Sequence, residues 1–140
     1  MGKTRMWIAT VAGMATLALV GCTETTTPRP EAGRALYQDF CAACHGPGGK
    51  GDGPLAGNWK KPPADLTGIS RRNGGTFPLA RVMSQIDGYT RRNDHGSAMP
   101  EMGQVFQDGP LVMVDTGDGI ETPVPVPLLE LAEYLRSIQE

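Results

Sequence analysis

The chain has 140 residues, which is the size of one domain and leaves little room for a second. Hydrophobic residues make up 39% and charged residues 20%, as in ordinary globular proteins, while 19 glycines and 12 prolines predict many turns. The formal net charge of -2 provides no broad basic surface for phosphates, so we expect no nucleic-acid partner.

Residues 1–21 have the pattern of a secretory signal peptide. Lys3 and Arg5 precede an apolar run from Met6 to Val20. This run is shorter than the roughly 20 residues that a membrane-spanning helix needs, and threonine and glycine interrupt it. The pattern therefore predicts export rather than a transmembrane anchor.

The end of the apolar run indicates a lipid anchor. Residues 19–22 read Leu-Val-Gly-Cys, which resembles a bacterial lipobox, so we expect Cys22 to be lipidated after cleavage. Ordinary cleavage that leaves Cys22 as a free thiol is the alternative. Residues 22–30 are polar and contain two prolines, which is typical of a flexible tether. We expect the folded domain at 31–140, on the periplasmic side of a bacterial membrane.

The strongest chemical signal is the sequence Cys41-Ala42-Ala43-Cys44-His45, which follows a helical pattern from Glu31 to Phe40. Cys-x-x-Cys-His is the attachment signature of c-type haem. Two thiols at this spacing can reach the two vinyl groups of one porphyrin edge, and the adjacent imidazole can then face the iron. The motif therefore predicts a covalent haem site.

Three other kinds of site use some of the same residues. A thioredoxin-type redox pair needs a βαβ context, which the flanking sequence lacks. A zinc site would combine Cys41, Cys44 and His45 with the distant His95, at unusual spacing. A structural disulfide between Cys41 and Cys44 would close a very small loop and leave His45 without a role.

From about Glu31 to Gln139 the chain resembles bacterial class I c-type cytochromes. The segment Gly33-Arg34-Ala35-Leu36-Tyr37 and the motif that ends in His45-Gly46 are similar to the family's first helix and haem motif. The resemblance implies an all-α fold of about four helices around one covalently bound haem c. It also implies attachment at Cys41 and Cys44, with His45 as an axial ligand of the iron.

The resemblance further implies a crossing between the first and last helices. In the family, a glycine and an aromatic residue of the first helix pack against a leucine and an aromatic residue of the last helix. Gly33 and Tyr37 match the first pair, and Leu131 and Tyr134 match the second.

A loop rich in glycine and proline runs from Gly46 to Pro63 and cannot be regular helix or strand. In the family, the axial histidine donates its other ring N–H to a proline carbonyl in this loop. The resemblance assigns that role to Pro54, where it would orient the imidazole of His45. A simple loop kink is the alternative for Pro54.

The sixth iron ligand is expected to be Met99. It precedes Pro100 and resembles the family's Met-Pro ligand sequence, and a thioether ligand raises the reduction potential. Met102 is the nearest alternative, and His95 would give a bis-histidine haem. We expect the remaining candidates, Met83 and Met113, to fill the core.

Three further elements follow from the patterning. Leu79, Val82, Met83 and Ile86 form the apolar stripe of a helix that ends at Gly88. Two extended segments flank the turn sequence at 115–119 and predict a β-hairpin insertion near 111–126, an element that the minimal class I fold lacks. The final helix has its apolar stripe after Pro127. Its members are Leu128, Leu131, Leu135 and Ile138.

Basic residues cluster in the middle of the chain, and acidic residues dominate after Glu101. Such cations suit pairing with haem propionates or steering of an acidic partner, and a solvated face is the alternative. The cluster comprises Lys60, Lys61, Arg71, Arg72, Arg81, Arg91 and Arg92.

The sequence thus predicts an electron carrier and no catalytic residues. We expect it to be a monomer that exchanges electrons with periplasmic or membrane redox proteins and takes no small-molecule substrate. Two alternatives stay open. One is a haem subunit of a larger dehydrogenase or oxidase, docked through the 111–126 hairpin. The other is an open-site haem that binds gases or reacts with peroxide because Met99 does not ligate.

Overall fold

The computed structural model describes residues 28–91, 99–117 and 119–140. The predicted signal peptide at 1–21, the predicted anchor Cys22 and the alternative ligand His95 lie outside these ranges. Within them, no helix combines the length and hydropathy that a bilayer-spanning segment requires.

The described residues form a mostly helical domain with one small antiparallel sheet, as the sequence predicts. Three helices are long, and three have four residues each because they lack an extended apolar stripe. The helices are α1 (Pro30–Phe40), α2 (Ala42–His45), α3 (Ile69–Arg72), α4 (Leu79–Asp87), α5 (Gly103–Phe106) and α6 (Val126–Ser137). Two 3-10 turns lie at Ala56–Asn58 and Tyr89–Arg91, and the strands are β1 (Leu111–Asp115) and β2 (Glu121–Pro125).

The crossing of α1 and α6 forms the centre of the fold, and it contains the four residues predicted for it. At Gly33, a Cβ atom would lie 2.5 Å from the carbonyl carbon of Glu130, so only glycine allows this approach. Tyr37 and Leu131 are fully buried, and the Tyr37 ring lies 5.2 Å from that of Tyr134 at a 47° tilt. The predicted helix pairing is therefore confirmed.

Two polar contacts fix the ends of this crossing. The Tyr37 hydroxyl donates to the Gly46 carbonyl at 2.6 Å, and burial raises the pKa of Tyr37 far above its usual range, so the hydroxyl keeps its proton. At the other end, the Arg29 backbone N–H donates to the buried Glu130 carboxylate at 3.1 Å. The helix begins at Pro30, one residue before the predicted domain start.

Helix α4 follows its predicted pattern. Val82, Met83 and Ile86 are buried against the core, as the apolar stripe requires. The helix ends at Gly88, which has a left-handed φ of 98° and donates its N–H to the Ser84 carbonyl. The prediction that Met83 fills the core is confirmed.

The predicted hairpin near 111–126 is present as the β1 and β2 pair. Val112 lies opposite Val124, and both face the core cluster. The Val126 N–H donates to the Pro110 carbonyl at 3.0 Å, which makes Leu111–Pro125 and Met113–Pro123 the non-hydrogen-bonded pairs. Because side chains alternate along a strand and Val112 faces the core, Met113 is on the outer face; it is 57% exposed, so the prediction that it fills the core is wrong.

Candidate functional site

A cavity of about 300 Å³ lies between the segment after α2, helix α4 and the end of α6. Aliphatic side chains form most of its wall. The wall also contains sulfur atoms, an imidazole and guanidinium groups. Its lining residues are Cys41, His45, Ala64, Leu66, Ile69, Arg72, Pro78, Arg81, Val82, Gln85, Ile86, Met99 and Leu135.

The haem motif occupies one helical turn at this cavity. Cys41 ends α1 and precedes α2, and its carbonyl accepts the N–H groups of Cys44 at 3.1 Å and His45 at 2.9 Å. Both cysteines are half-buried free thiols. Burial, and then the neighbouring Cys44, raise the pKa of the Cys41 thiol to about 11. Cysteines of disulfide-exchange sites have a lowered thiol pKa, so this direction does not favour the thioredoxin-type alternative.

The imidazole of His45 is held by the backbone of another residue that lines the cavity. Its Nδ1 lies 2.9 Å from the carbonyl oxygen of Ala64. Because a carbonyl oxygen can only accept, Nδ1 is the protonated nitrogen and Nε2 carries the lone pair that a metal could use. This is the orientation that an axial histidine needs.

The prediction that Pro54 provides this acceptor is wrong. The backbone on either side of Pro54 pairs with the haem-motif turn, since Gly53 N–H donates to Cys44 O at 3.1 Å and Leu55 N–H donates to Ala43 O at 2.9 Å. The carbonyl that reaches His45 comes from later in the chain. The Pro62-Pro63 pair just before Ala64 is the sequence feature that could have indicated this segment as the source of the acceptor carbonyl.

Gly51 makes room for that later segment. Its φ is 82°, and a Cβ atom there would collide with the carbonyl group of Pro63. The Leu66 N–H donates to the Gly49 carbonyl at 2.6 Å, which ties the two parts of the loop together. The glycines after the haem motif therefore allow Ala64 to approach His45.

The structure separates the two methionine candidates. Met99 is half-buried and lines the cavity that His45 also lines. Met102 is 9% exposed within the core cluster, and its backbone N–H donates to Ile86 O at 3.0 Å. Of the two sulfur-bearing side chains, only that of Met99 belongs to the cavity wall.

Two residues of the predicted basic cluster, Arg72 and Arg81, line the cavity and are exposed at its rim. Each guanidinium is oriented by a neutral acceptor. Arg72 Nη2 donates to Asp65 O at 2.6 Å, and Arg81 Nη2 donates to Asn73 Oδ1 at 2.7 Å. The cluster member Arg92 lies outside the described ranges.

The cavity fits an amphipathic porphyrin. Most of its wall is apolar, the two arginines suit two propionates, and the motif supplies the Cys41 thiol and an imidazole whose Nε2 is the unprotonated nitrogen. Cys44, the second predicted attachment residue, is half-buried and does not line the cavity. Within the described part of the chain, no group of three His, Cys, Asp or Glu side chains could hold a metal ion, so the zinc alternative gains no support there.

A family model described as Cytochrome c matches residues 30–109, more than half of the chain. The match includes α1, the haem motif and Met99, and it ends before the hairpin and α6. No curated protein and no solved structure matches the chain significantly. Cytochrome c domains transfer electrons through haem and generally interact with redox partners. From the haem motif, the cavity that it adjoins and the family match, we conclude that the chain belongs to the cytochrome c family and that its cofactor is covalently bound haem c.

Proposed function

We propose that this protein is a single-electron carrier in which Cys41 and Cys44 hold one haem c and His45 and Met99 are its axial ligands. The observation that carries the proposal is the shared cavity, which is lined by Cys41, His45 and Met99 but not by Met102. Bound haem supplies one-electron iron chemistry. The residues of this chain orient the iron ligands and keep water away from the cavity.

Each part of the cavity has a role in keeping the iron site unchanged between oxidation states. Ala64 accepts the Nδ1 proton of His45, which fixes the imidazole plane and tautomer. Leu66, Val82 and Ile86 exclude water from the cavity. These roles need no substrate and no proton transfer, which is why we propose an electron carrier rather than an enzyme.

We further propose that the carrier is exported and tethered. The support is the sequence pattern: a signal peptide at 1–21, a lipobox ending at Cys22 and a polar tether to residue 30. The domain at 31–140 would then work as a monomer on the periplasmic side of a bacterial membrane, exchanging electrons with redox proteins there.

Visible absorption spectra of the purified holoprotein test the ligand assignment. We expect a low-spin haem c spectrum, and a weak charge-transfer band in the ferric form that reports sulfur on iron. Met99→Ala should abolish that band, while the matched variant Met102→Ala should keep it. A high-spin wild-type spectrum would refute His/Met ligation and favour the open-site alternative. The absence of covalent haem would refute the function altogether.

The hairpin supports a second candidate, a haem subunit of a larger oxidoreductase. Leu111 and Met113 are 61% and 57% exposed on the same face of the hairpin. Adjacent exposed apolar side chains are typical of protein contact surfaces. If the subunit hypothesis holds, the protein in detergent extracts of native membranes migrates as a large complex, and a Leu111→Ser/Met113→Ser double variant migrates as the free chain.

A further inference from the structure

The carbonyl that holds His45 belongs to a segment without helix or strand. Ala64 lies between the 3-10 turn at Ala56–Asn58 and helix α3, and it is exposed to solvent. Its hydrogen bond to Nδ1 competes with water, so neighbouring contacts must hold the carbonyl in place. Leu66 N–H bonded to Gly49 O and Asp65 O bonded to Arg72 are two such contacts, and the residues that follow α6 provide others.

Gln139 bridges the end of α6 to this segment with its side-chain amide. Its Nε2 donates to Leu66 O at 2.9 Å and to Leu135 O at 2.7 Å. Its Oε1 accepts the Ser70 N–H at 2.8 Å. The uncharged Gln139 side chain thus joins the last helix to the backbone that follows Ala64 in the chain.

Glu140 and Lys50 hold the next residue, Thr67, which is buried. The Glu140 backbone N–H donates to Thr67 O at 2.9 Å. The Lys50 ammonium donates to Thr67 Oγ1 at 3.0 Å and forms an ion pair with the Glu140 carboxylate. Lys50 belongs to the glycine loop that follows His45, and Thr67 belongs to the segment that follows Ala64. The contacts of Lys50 and Glu140 therefore connect the donor's part of the chain to the acceptor's part.

We propose that Gln139 and Glu140 are positioning residues for the axial histidine, which act by holding Leu66 and Thr67 so that the Ala64 carbonyl stays against Nδ1 of His45. The proposal rests on the axial role of His45 proposed above. A hydrogen bond donated by Nδ1 makes the imidazole a stronger ligand and favours ferric iron. Weakening the contacts should therefore raise the reduction potential.

The test compares the midpoint potential of the wild-type holoprotein with those of Gln139→Ala, Glu140→Gln and a control. For Gln139→Ala we expect an about threefold shift of the equilibrium toward reduced protein, which is about 28 mV for a one-electron couple. Since Gln139 carries no charge, this shift cannot come from a lost charge. Glu140→Gln should shift the potential in the same direction by less, because this variant keeps the backbone contact to Thr67.

The control is Glu133→Gln. Glu133 forms an ion pair with Arg136 within α6, so this variant removes one carboxylate near the helix end without touching the segment around Ala64. The midpoint potential of Glu133→Gln should differ from that of wild type by only about 3 mV, a tenth of the shift expected for Gln139→Ala. NMR of the ferric protein gives the second readout, because the His45 ring resonances report the strength of the Nδ1 hydrogen bond.

The outcomes separate three cases. A raised potential with moved His45 resonances in Gln139→Ala, but not in Glu133→Gln, supports positioning. A lowered thermal midpoint with wild-type potential and His45 resonances shows that the contacts serve folding alone, and it overturns the proposal. A wild-type protein without a histidine-ligated haem overturns the proposed function first, before any variant is compared.

Discussion

Replacing Gly33 with alanine tests the reasoning about the helix crossing. The added methyl would overlap the Glu130 carbonyl oxygen, its nearest neighbour, and would lie 2.5 Å from the carbonyl carbon and 3.0 Å from Tyr134 Cβ. Carbon atoms in contact need about 3.5 Å, so α1 and α6 must separate by about 1 Å. Overpacking of this kind costs about 1–3 kcal/mol, and loosening the Tyr37–Tyr134 ring pair adds about 0.5–1.5 kcal/mol.

One effect opposes these costs. Alanine is about 1 kcal/mol better than glycine inside a helix. The net expectation is a loss of about 2 kcal/mol in the free energy of unfolding, which lowers the thermal midpoint of a domain of this size by about 6–12 °C. Guanidinium titration of the holoprotein, followed by circular dichroism, measures the free energy directly.

Gly57→Ala is the matched control. No atom lies within 4 Å of a Cβ atom built at Gly57, so we expect a change within about 0.5 kcal/mol. If Gly33→Ala is as stable as Gly57→Ala, the crossing relaxes without cost and the steric argument is refuted.

Three further predictions concern single contacts. Tyr37→Phe leaves the Gly46 carbonyl without its donor and should cost about 1–3 kcal/mol in a urea titration; an unchanged midpoint would show that water replaces the hydroxyl. Gly88→Ala places a side chain at φ 98° and should cost about 1 kcal/mol or more in the same titration, whereas wild-type stability would show that the end of α4 adapts. For Asp65, hydrogen bonds from the Thr67 hydroxyl and then its N–H hold the carboxyl pKa below its usual value. The folded pKa lies below the unfolded one, so the ionised group stabilises the fold above the unfolded pKa and this contribution disappears as pH falls through the folded pKa. Asp65→Asn should therefore be less stable than wild type at neutral pH, with a gap that closes in acid; a gap independent of pH would contradict the argument.

Local sequence signals predicted much of the fold because the contacts they encode are local or periodic. The Cys41-to-His45 motif fixes its own geometry within one turn. The stripe ending at Gly88 required only helical spacing, and the hairpin required only two extended segments around a turn. The crossing at Gly33 was accessible through the family resemblance.

The wrong predictions concern contacts that depend on tertiary geometry. The acceptor for His45 is Ala64 rather than Pro54, because the glycine loop folds back and brings a distant carbonyl to the imidazole. Met113 is apolar and lies in a strand, but its outward face follows from the hairpin register, which the turn and Val126 determine together. Neither result can be read from spacing along the chain.

The placement of Pro123 and Pro125 limits how the hairpin can associate with other chains. Both occupy positions whose backbone nitrogen points away from β1, and proline has no N–H to offer there. An additional strand therefore cannot complete a hydrogen-bond ladder along the free edge of β2. The apolar face around Leu111 and Met113 can still be covered by a partner through side chains, and contact of that kind needs no backbone pairing with β2.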